Sequence, residues 1–293
     1  MPRVCTNGIE IEYETFGDPS ADPLLLIMGL GAQMILWEEE FCRLLAGHGH
    51  HVIRFDNRDV GLSTRLEEAG VPRIRVMMEQ VERGERPEAP YRLSDMGRDA
   101  VGLLDGLGID AAHVVGASMG GMIGQTVAIE HPERVRTLTS IMSSTGHPGL
   151  PRAKPEAMAV LLTPPPRDRE ANIERAVEAA RIIGSPGFPF DEERIRARAA
   201  RTYDRAFYPK GLARQLAAIL ALGSRRKALE ALRTPTLVIH GDMDPLVPVE
   251  GGLDTAEAVP GAELLIIEGM GHDLPPEVWP RIADTITRHA RKA

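Results

Sequence analysis

From Leu24 onward the chain alternates between two apolar patterns. Short, mostly apolar runs stand at Leu24–Met28, His51–Phe55, Ala112–Gly116, Val135–Met142, Thr236–His240 and Glu263–Ile267. Several lack a polar residue at every second position, as strands covered on both faces do. Between them, apolar residues recur at helical spacing in Trp37–Leu45, Leu93–Leu107, Met119–Glu130, Val249–Ala258 and Glu277–Arg291. Strand and helix taking turns predicts an α/β fold, a mostly parallel sheet wrapped by helices. Ahead of this, Asn7-Gly8 separates two β-prone runs and Ile9–Tyr13 alternates, which predicts an antiparallel hairpin at the sheet edge.

The rhythm pauses near Gly146 and resumes near Leu232. The pattern predicts a core of residues 1–145 and 228–293, with a helical cap, 146–227, inserted in it. The insert is rich in Ala, Arg and Glu and carries Pro164-Pro165-Pro166. It holds 16 Lys and Arg against 9 Asp and Glu, an excess of +7 that leaves −15 for the rest of a chain whose formal charge is −8. Such cations are expected on solvated helix faces and against core acids at the interface. A second irregular segment, Glu67–Arg92, predicts a short helix around Arg73–Arg83 and is placed to overhang the strand ends.

A length of 293 residues is enough for one large domain with an insertion. The acidic balance gives no reason to expect nucleic-acid binding. No apolar run is long enough to span a bilayer, and the first twenty residues hold no signal-like stretch. Cys5 and Cys42 show neither metal-ligand spacing nor a disulfide framework, which points to a reducing cytoplasm. Oligomeric state leaves no mark in the pattern.

The chemistry centres on Gly116-Ala117-Ser118-Met119-Gly120, which follows a β-prone run and opens a helix-like one. A serine between a strand and a helix must turn sharply, which pushes its hydroxyl into the open. Glycines two before and two after remove side chains that would collide there. A serine hydroxyl becomes a useful nucleophile only beside a base that a third group orients. Among nine histidines, His272 is the best base, because Gly269-Met270-Gly271 lets its loop bend. The orienting acid is Asp242 or Asp244, both in the loop beyond the Thr236–His240 strand. Asp273 adjoins His272 too closely to orient it. His48, His50 and His51 read as solvent-facing or turn residues, His113 and His240 as structural. Acyl transfer also needs backbone N–H donors for the oxyanion, each worth about 3–4 kcal/mol when removed. Met119, directly after the serine, and Leu30, in the glycine-containing Met28-Gly29-Leu30-Gly31 turn, are the candidates. No metal or organic cofactor is required.

These segments together resemble the α/β-hydrolase superfamily over nearly the whole length. The resemblance rests on Leu25–Gly29, Phe55–Ser63, Val114–Gly121, His240–Pro245 and Gly269–His272. The Met28-Gly29 pair and Asp56-Asn57-Arg58-Asp59 are similar to the branch containing aclacinomycin methylesterase and related bacterial carboxylesterases. That resemblance implies an α/β-hydrolase fold with a helical cap and a triad of Ser118, Asp244 and His272 in that chain order. It implies a serine carboxylesterase acting through an acyl-enzyme on a small-molecule ester, without naming the ester. The insert's apolar side chains, among them Met158, Leu161, Leu162, Phe188 and Phe190, predict a pocket for short to medium acyl esters or small methyl esters. Other serine chemistry on this scaffold includes perhydrolysis, carbon–carbon bond hydrolysis and acyl transfer, and some members are ligand receptors. The chain departs from the commonest pattern at Met28, where a histidine usually precedes the oxyanion glycine. Met28 cannot make that histidine's polar contacts, so the oxyanion loop must be held in another way.

Overall fold

The computed structural model describes residues 2–293. Asn7 and Gly8 have φ of 48° and 76°, the doubly left-handed geometry of a two-residue hairpin. They join β1 (Arg3–Thr6) to β2 (Ile9–Phe16), with Thr6 opposite Ile9. The chain continues through β3 (Asp22–Ile27), α1 (Glu39–Gly47), β4 (His50–Phe55), α2 (Ile74–Glu82), α3 (Leu93–Gly106), β5 (Ala112–Ala117), α4 (Met119–Glu130) and β6 (Val135–Ile141). Five helices follow: α5 (Pro155–Leu162), α6 (Arg169–Ile183), α7 (Glu192–Arg205), α8 (Pro209–Leu222) and α9 (Arg226–Leu229). The sheet then resumes with β7 (Thr236–Gly241), α10 (Glu250–Ala258), β8 (Glu263–Ile267) and α11 (Trp279–Ala290).

The strands lie in the order β1-β2-β4-β3-β5-β6-β7-β8. The β1–β2 and β2–β4 pairs are antiparallel and the other five are parallel. Alternate residues of β3 serve opposite layers. Leu24 and Leu26 join Val52, Val115 and Ile239 in a cluster with Phe41 of α1 and Ile282 of α11. Leu25 and Ile27 join Ile53 and Val114 in a cluster with Leu104 of α3 and Ile123 of α4. Both faces are therefore apolar, so these strands read as continuous runs. Each such Leu or Ile contributes about 1.5–3 kcal/mol by leaving water.

Two expectations are corrected. His50 and His51 are buried at the start of β4, and His50 Nε2 lies 3.2 Å from Thr287 Oγ1; only His48 of that trio is exposed. The first helix begins at Glu39 rather than Trp37, because Trp37 and Glu38 have non-helical ψ of 87° and 148° where the chain leaves a preceding short turn.

The five helices between β6 and β7 account for the pause in the strand rhythm. Helix α8 packs against α2, and the Arg86 guanidinium donates to the last carbonyls of α8, Ala221 and Leu222, at 2.8 Å each. Many of the insert's cations meet acids of the sheet-bearing part. Arg194 and Arg198 reach Glu38, Lys210 reaches Glu67, and Arg205 bonds Asp56 Oδ2 at 2.7 Å. Most buried is the bidentate pair of Arg214 with Asp59, at 2.7 and 2.8 Å, with both side chains fully enclosed. Removing one member strands the other charge away from water. Asp59→Ala is expected to lower stability by about 3–5 kcal/mol, read as a fall in the urea unfolding midpoint; an unchanged midpoint would refute that role for the pair.

Candidate active site

Ser118 sits between β5 and α4 with φ 56° and ψ −119°, a left-handed backbone that costs a non-glycine residue on the order of 1–3 kcal/mol. Packing enforces it. A Cβ on Gly116 would stand 2.1 Å from the Gly120 carbonyl oxygen, and one on Gly120 would stand 2.0 Å from that of Ile27. Strand and helix thus cross backbone to backbone at the turn. Ser118 N–H donates to Ile141 O at 2.9 Å, tying the turn to β6.

The loop after β8 brings His272 to this serine. Ser118 Oγ lies 3.0 Å from His272 Nε2, and His272 Nδ1 lies 2.6 Å from Asp244 Oδ2. The tautomer that satisfies both contacts has the hydroxyl donating to Nε2 and Nδ1–H donating to the carboxylate. The two candidate acids take different roles. Asp244 faces His272, and its Oδ1 accepts from the N–H groups of Leu246 and Val247 at 2.9 and 2.8 Å. Asp242 instead accepts from Gly269 N–H at 2.7 Å and steadies the histidine loop from outside. Burial pushes the Asp244 carboxyl up, but attraction to His272, the nearby His240 ring and hydrogen bonds from His272 and Val247 outweigh it. The net result is a carboxyl well below the usual range. His240 donates through Nε2 to Val247 O at 2.8 Å; its 3.6 Å approach to Asp244 is electrostatic rather than a hydrogen bond.

The histidine loop also rests on the segment between α6 and α7. His272 N–H donates to Ile183 O at 2.7 Å, Gly271 N–H to Ser185 Oγ at 2.9 Å, and Gly187 N–H to Gly269 O at 2.9 Å. Asp273, whose carboxyl burial pushes up, closes the arrangement with Ser185 Oγ. Sequence reasoning passed over Ser185, since a lone serine in Gly184-Ser185-Pro186-Gly187 reads as an ordinary loop.

Beyond β3, Gly29 stands beside the nucleophile, where a Cβ would lie 3.7 Å from Ser118 Oγ. The Met28 side chain is buried among Trp37, Ala117 and Met142, while its carbonyl accepts from Asn57 Nδ2 at 2.9 Å. Met34 N–H donates to Asp56 Oδ1 at 2.8 Å. The Asp56–Asp59 run thus braces the turn that carries Leu30. Among the described residues, Leu30 N–H has no protein partner, whereas Gly31 and Ala32 N–H are both engaged. Not every apolar residue of the insert serves the site: Leu162 and Phe190 face solvent, the latter beneath Arg181.

The alpha/beta hydrolase fold family matches residues 22–277. Rhodomycin D methylesterase of Streptomyces peucetius is 33% identical, with 100% of this chain and 99% of that protein covered. A second rhodomycin D methylesterase, from another Streptomyces, is also 33% identical over 99% of this chain and 98% of its own. Among solved structures, a meta-cleavage product hydrolase of Pseudomonas fluorescens superposes with a TM-score of 0.80 at 20% identity, covering 100% of this chain and 98% of that one. The sheet order, the strained serine turn and these matches agree: the chain belongs to the alpha/beta hydrolase fold family.

Proposed function

We propose that the protein is a serine-dependent carboxylic ester hydrolase that works through an acyl-enzyme, with Ser118, His272 and Asp244 as its triad. The observation that carries this reading is the continuous relay from Ser118 Oγ through His272 to Asp244. Ser118 Oγ attacks the ester carbonyl while His272 Nε2 takes its proton, and Asp244 steadies the resulting imidazolium. The oxyanion is held by the N–H groups of Leu30 and Met119, the latter at the first turn of α4, where helix N–H groups lack intrahelical partners. His272 returns the proton to the departing alcohol, then activates a water that releases the acid. None of these steps calls for a metal or cofactor.

Residues 146–227 form a cap over the nucleophile, and the substrate is a small-molecule ester. The resemblance to proteins named methylesterases favours a small alcohol portion, so methyl esters and short to medium acyl esters are the proposed class. Cys5 and Cys42 are both free, which suits a reducing cytoplasm, and no helix is long and apolar enough to cross a membrane. Hydrolysis of p-nitrophenyl esters from acetate to palmitate tests the class. Turnover is expected to peak at short or medium chains; a palmitate optimum with interfacial activation would overturn the proposed pocket size, and inactivity on every ester would overturn the esterase reading.

A further inference from the structure

Helix α8 belongs to the insert, yet one of its faces is built into the turn that carries Leu30. Leu212 packs on Gly31, where a Cβ would come 2.6 Å from Leu212 Cδ1. One turn further, the fully buried Gln215 spans two loops of the sheet edge. Its Oε1 accepts from Gly31 N–H at 2.8 Å and its Nε2 donates to Arg58 O at 2.7 Å. Only this orientation of the amide satisfies both backbone groups. Neighbouring side chains fix the helix in place: Arg214 grips Asp59, and Gly211 lies against the Asp59 carbonyl.

Gly31 immediately follows Leu30, so its hydrogen bond sets the peptide plane next to the proposed oxyanion donor. By engaging Gly31 N–H, Gln215 also leaves Leu30 as the N–H that points elsewhere. From below, Asn57 holds the carbonyl of Met28. The turn is therefore pinned at both ends by amide side chains, one from the core and one from the insert. This supplies the polar support that an apolar Met28 side chain lacks.

We infer that Gln215 is a positioning residue for the oxyanion turn, bonding Gly31 N–H so that Leu30 N–H is aimed at the developing oxyanion. The inference rests on the esterase reading proposed above. Gln215 bonds the backbone of Gly31 and Arg58 and no triad residue, so its contribution belongs to the transition state. Small misplacements of a preorganised donor lower the rate steeply while leaving ground-state binding nearly alone.

The test compares wild type with Gln215→Met, similar in length but without either hydrogen bond, and with Gln215→Glu, which keeps an acceptor for Gly31. Gln215→Met is expected to lose about 10- to 100-fold in kcat, with KM changed less than about twofold. Its affinity for an aryl trifluoromethyl ketone, whose adduct with Ser118 carries an oxyanion, should fall by the same factor. The acid limb of the pH profile should not move, because His272 keeps its contacts. Gln215→Glu should recover part of the lost kcat. An unchanged kcat in folded Gln215→Met, or a loss confined to KM, would overturn the inference. If Gln215→Met does not fold, hydrogen exchange on the wild type decides: the Gly31 amide is expected to exchange slowly, and exchange at the rate of a free amide would overturn the proposal. Wild-type inactivity on all esters would instead be a failure of the esterase reading.

Discussion

Ser118→Ala is expected to remain folded and to lose on the order of 10⁶ in kcat on any ester the wild type hydrolyses. The substitution removes the hydroxyl proposed to carry the acyl group, while Gly116 and Gly120 still allow α4 to pack on β5. The variant's residual rate comes from binding and oxyanion contacts alone. An organophosphonate should label the wild type at Ser118 and leave the variant unmodified. Retained turnover in the variant, or labelling at another residue, would mean that Ser118 is not the nucleophile. The variant also loses nothing from the core, so its urea midpoint should match that of the wild type within the usual range for exposed sites.

Asp244→Asn is the second large effect, an expected loss of about 10⁴ in kcat with the fold retained. The carboxylate accepts from His272 Nδ1–H. An amide nitrogen in its place would donate to Nδ1, move the ring proton to Nε2 and leave no lone pair facing Ser118 Oγ. Asp242→Asn is the matched control. Asp242 accepts one backbone N–H, which an amide oxygen can still accept, so little activity should be lost. Equal losses in the two variants would remove the distinction between these acids. The pH dependence follows from the same contact. The Asp244 carboxyl is held well below the usual range, so it resists protonation as the pH falls. The stability it adds is present above its unfolded value and fades only as pH falls through its lower folded value. Acid should therefore reduce kcat/KM with a one-proton slope, because the Asp244 carboxylate adds no second proton to the loss of the general base. A two-proton slope would mean that the carboxylate titrates as well.

How much of this was legible in the chain depends on distance. The strands were readable because burial on both faces leaves unbroken apolar runs, and the serine turn because a backbone crossing demands glycine at two fixed offsets. The choice between Asp242 and Asp244 was not readable from spacing: both lie in one loop, and only the folded chain shows Asp244 held by Leu246 and Val247 N–H facing His272 while Asp242 turns to Gly269. His50 and His51 look like surface residues, since nothing local records that both are buried at the start of β4 or that Thr287 of α11 reaches His50. Gln215 is harder still. It lies 184 residues from Gly31, in an Ala- and Leu-rich helix where a lone glutamine carries no signature. The surplus of cations in 146–227 and its general purpose were visible, but not the individual pairings, because the acids that meet it are scattered from Glu38 to Glu257.

The contact between the α6–α7 connection and the His272 loop bears on how such an enzyme can be redesigned. The peptide groups of Gly187 and Gly269 share a hydrogen bond, as do those of Ile183 and His272. Transplanting residues 146–227 from a relative, in order to import its substrate preference, would break these contacts unless 183–187 and 269–273 travel together as matched halves. Chimeras that swap the helices but keep the host's own 183–187 should therefore outperform wholesale grafts, and substrate preference can be recombined separately from the stretch that seats the histidine.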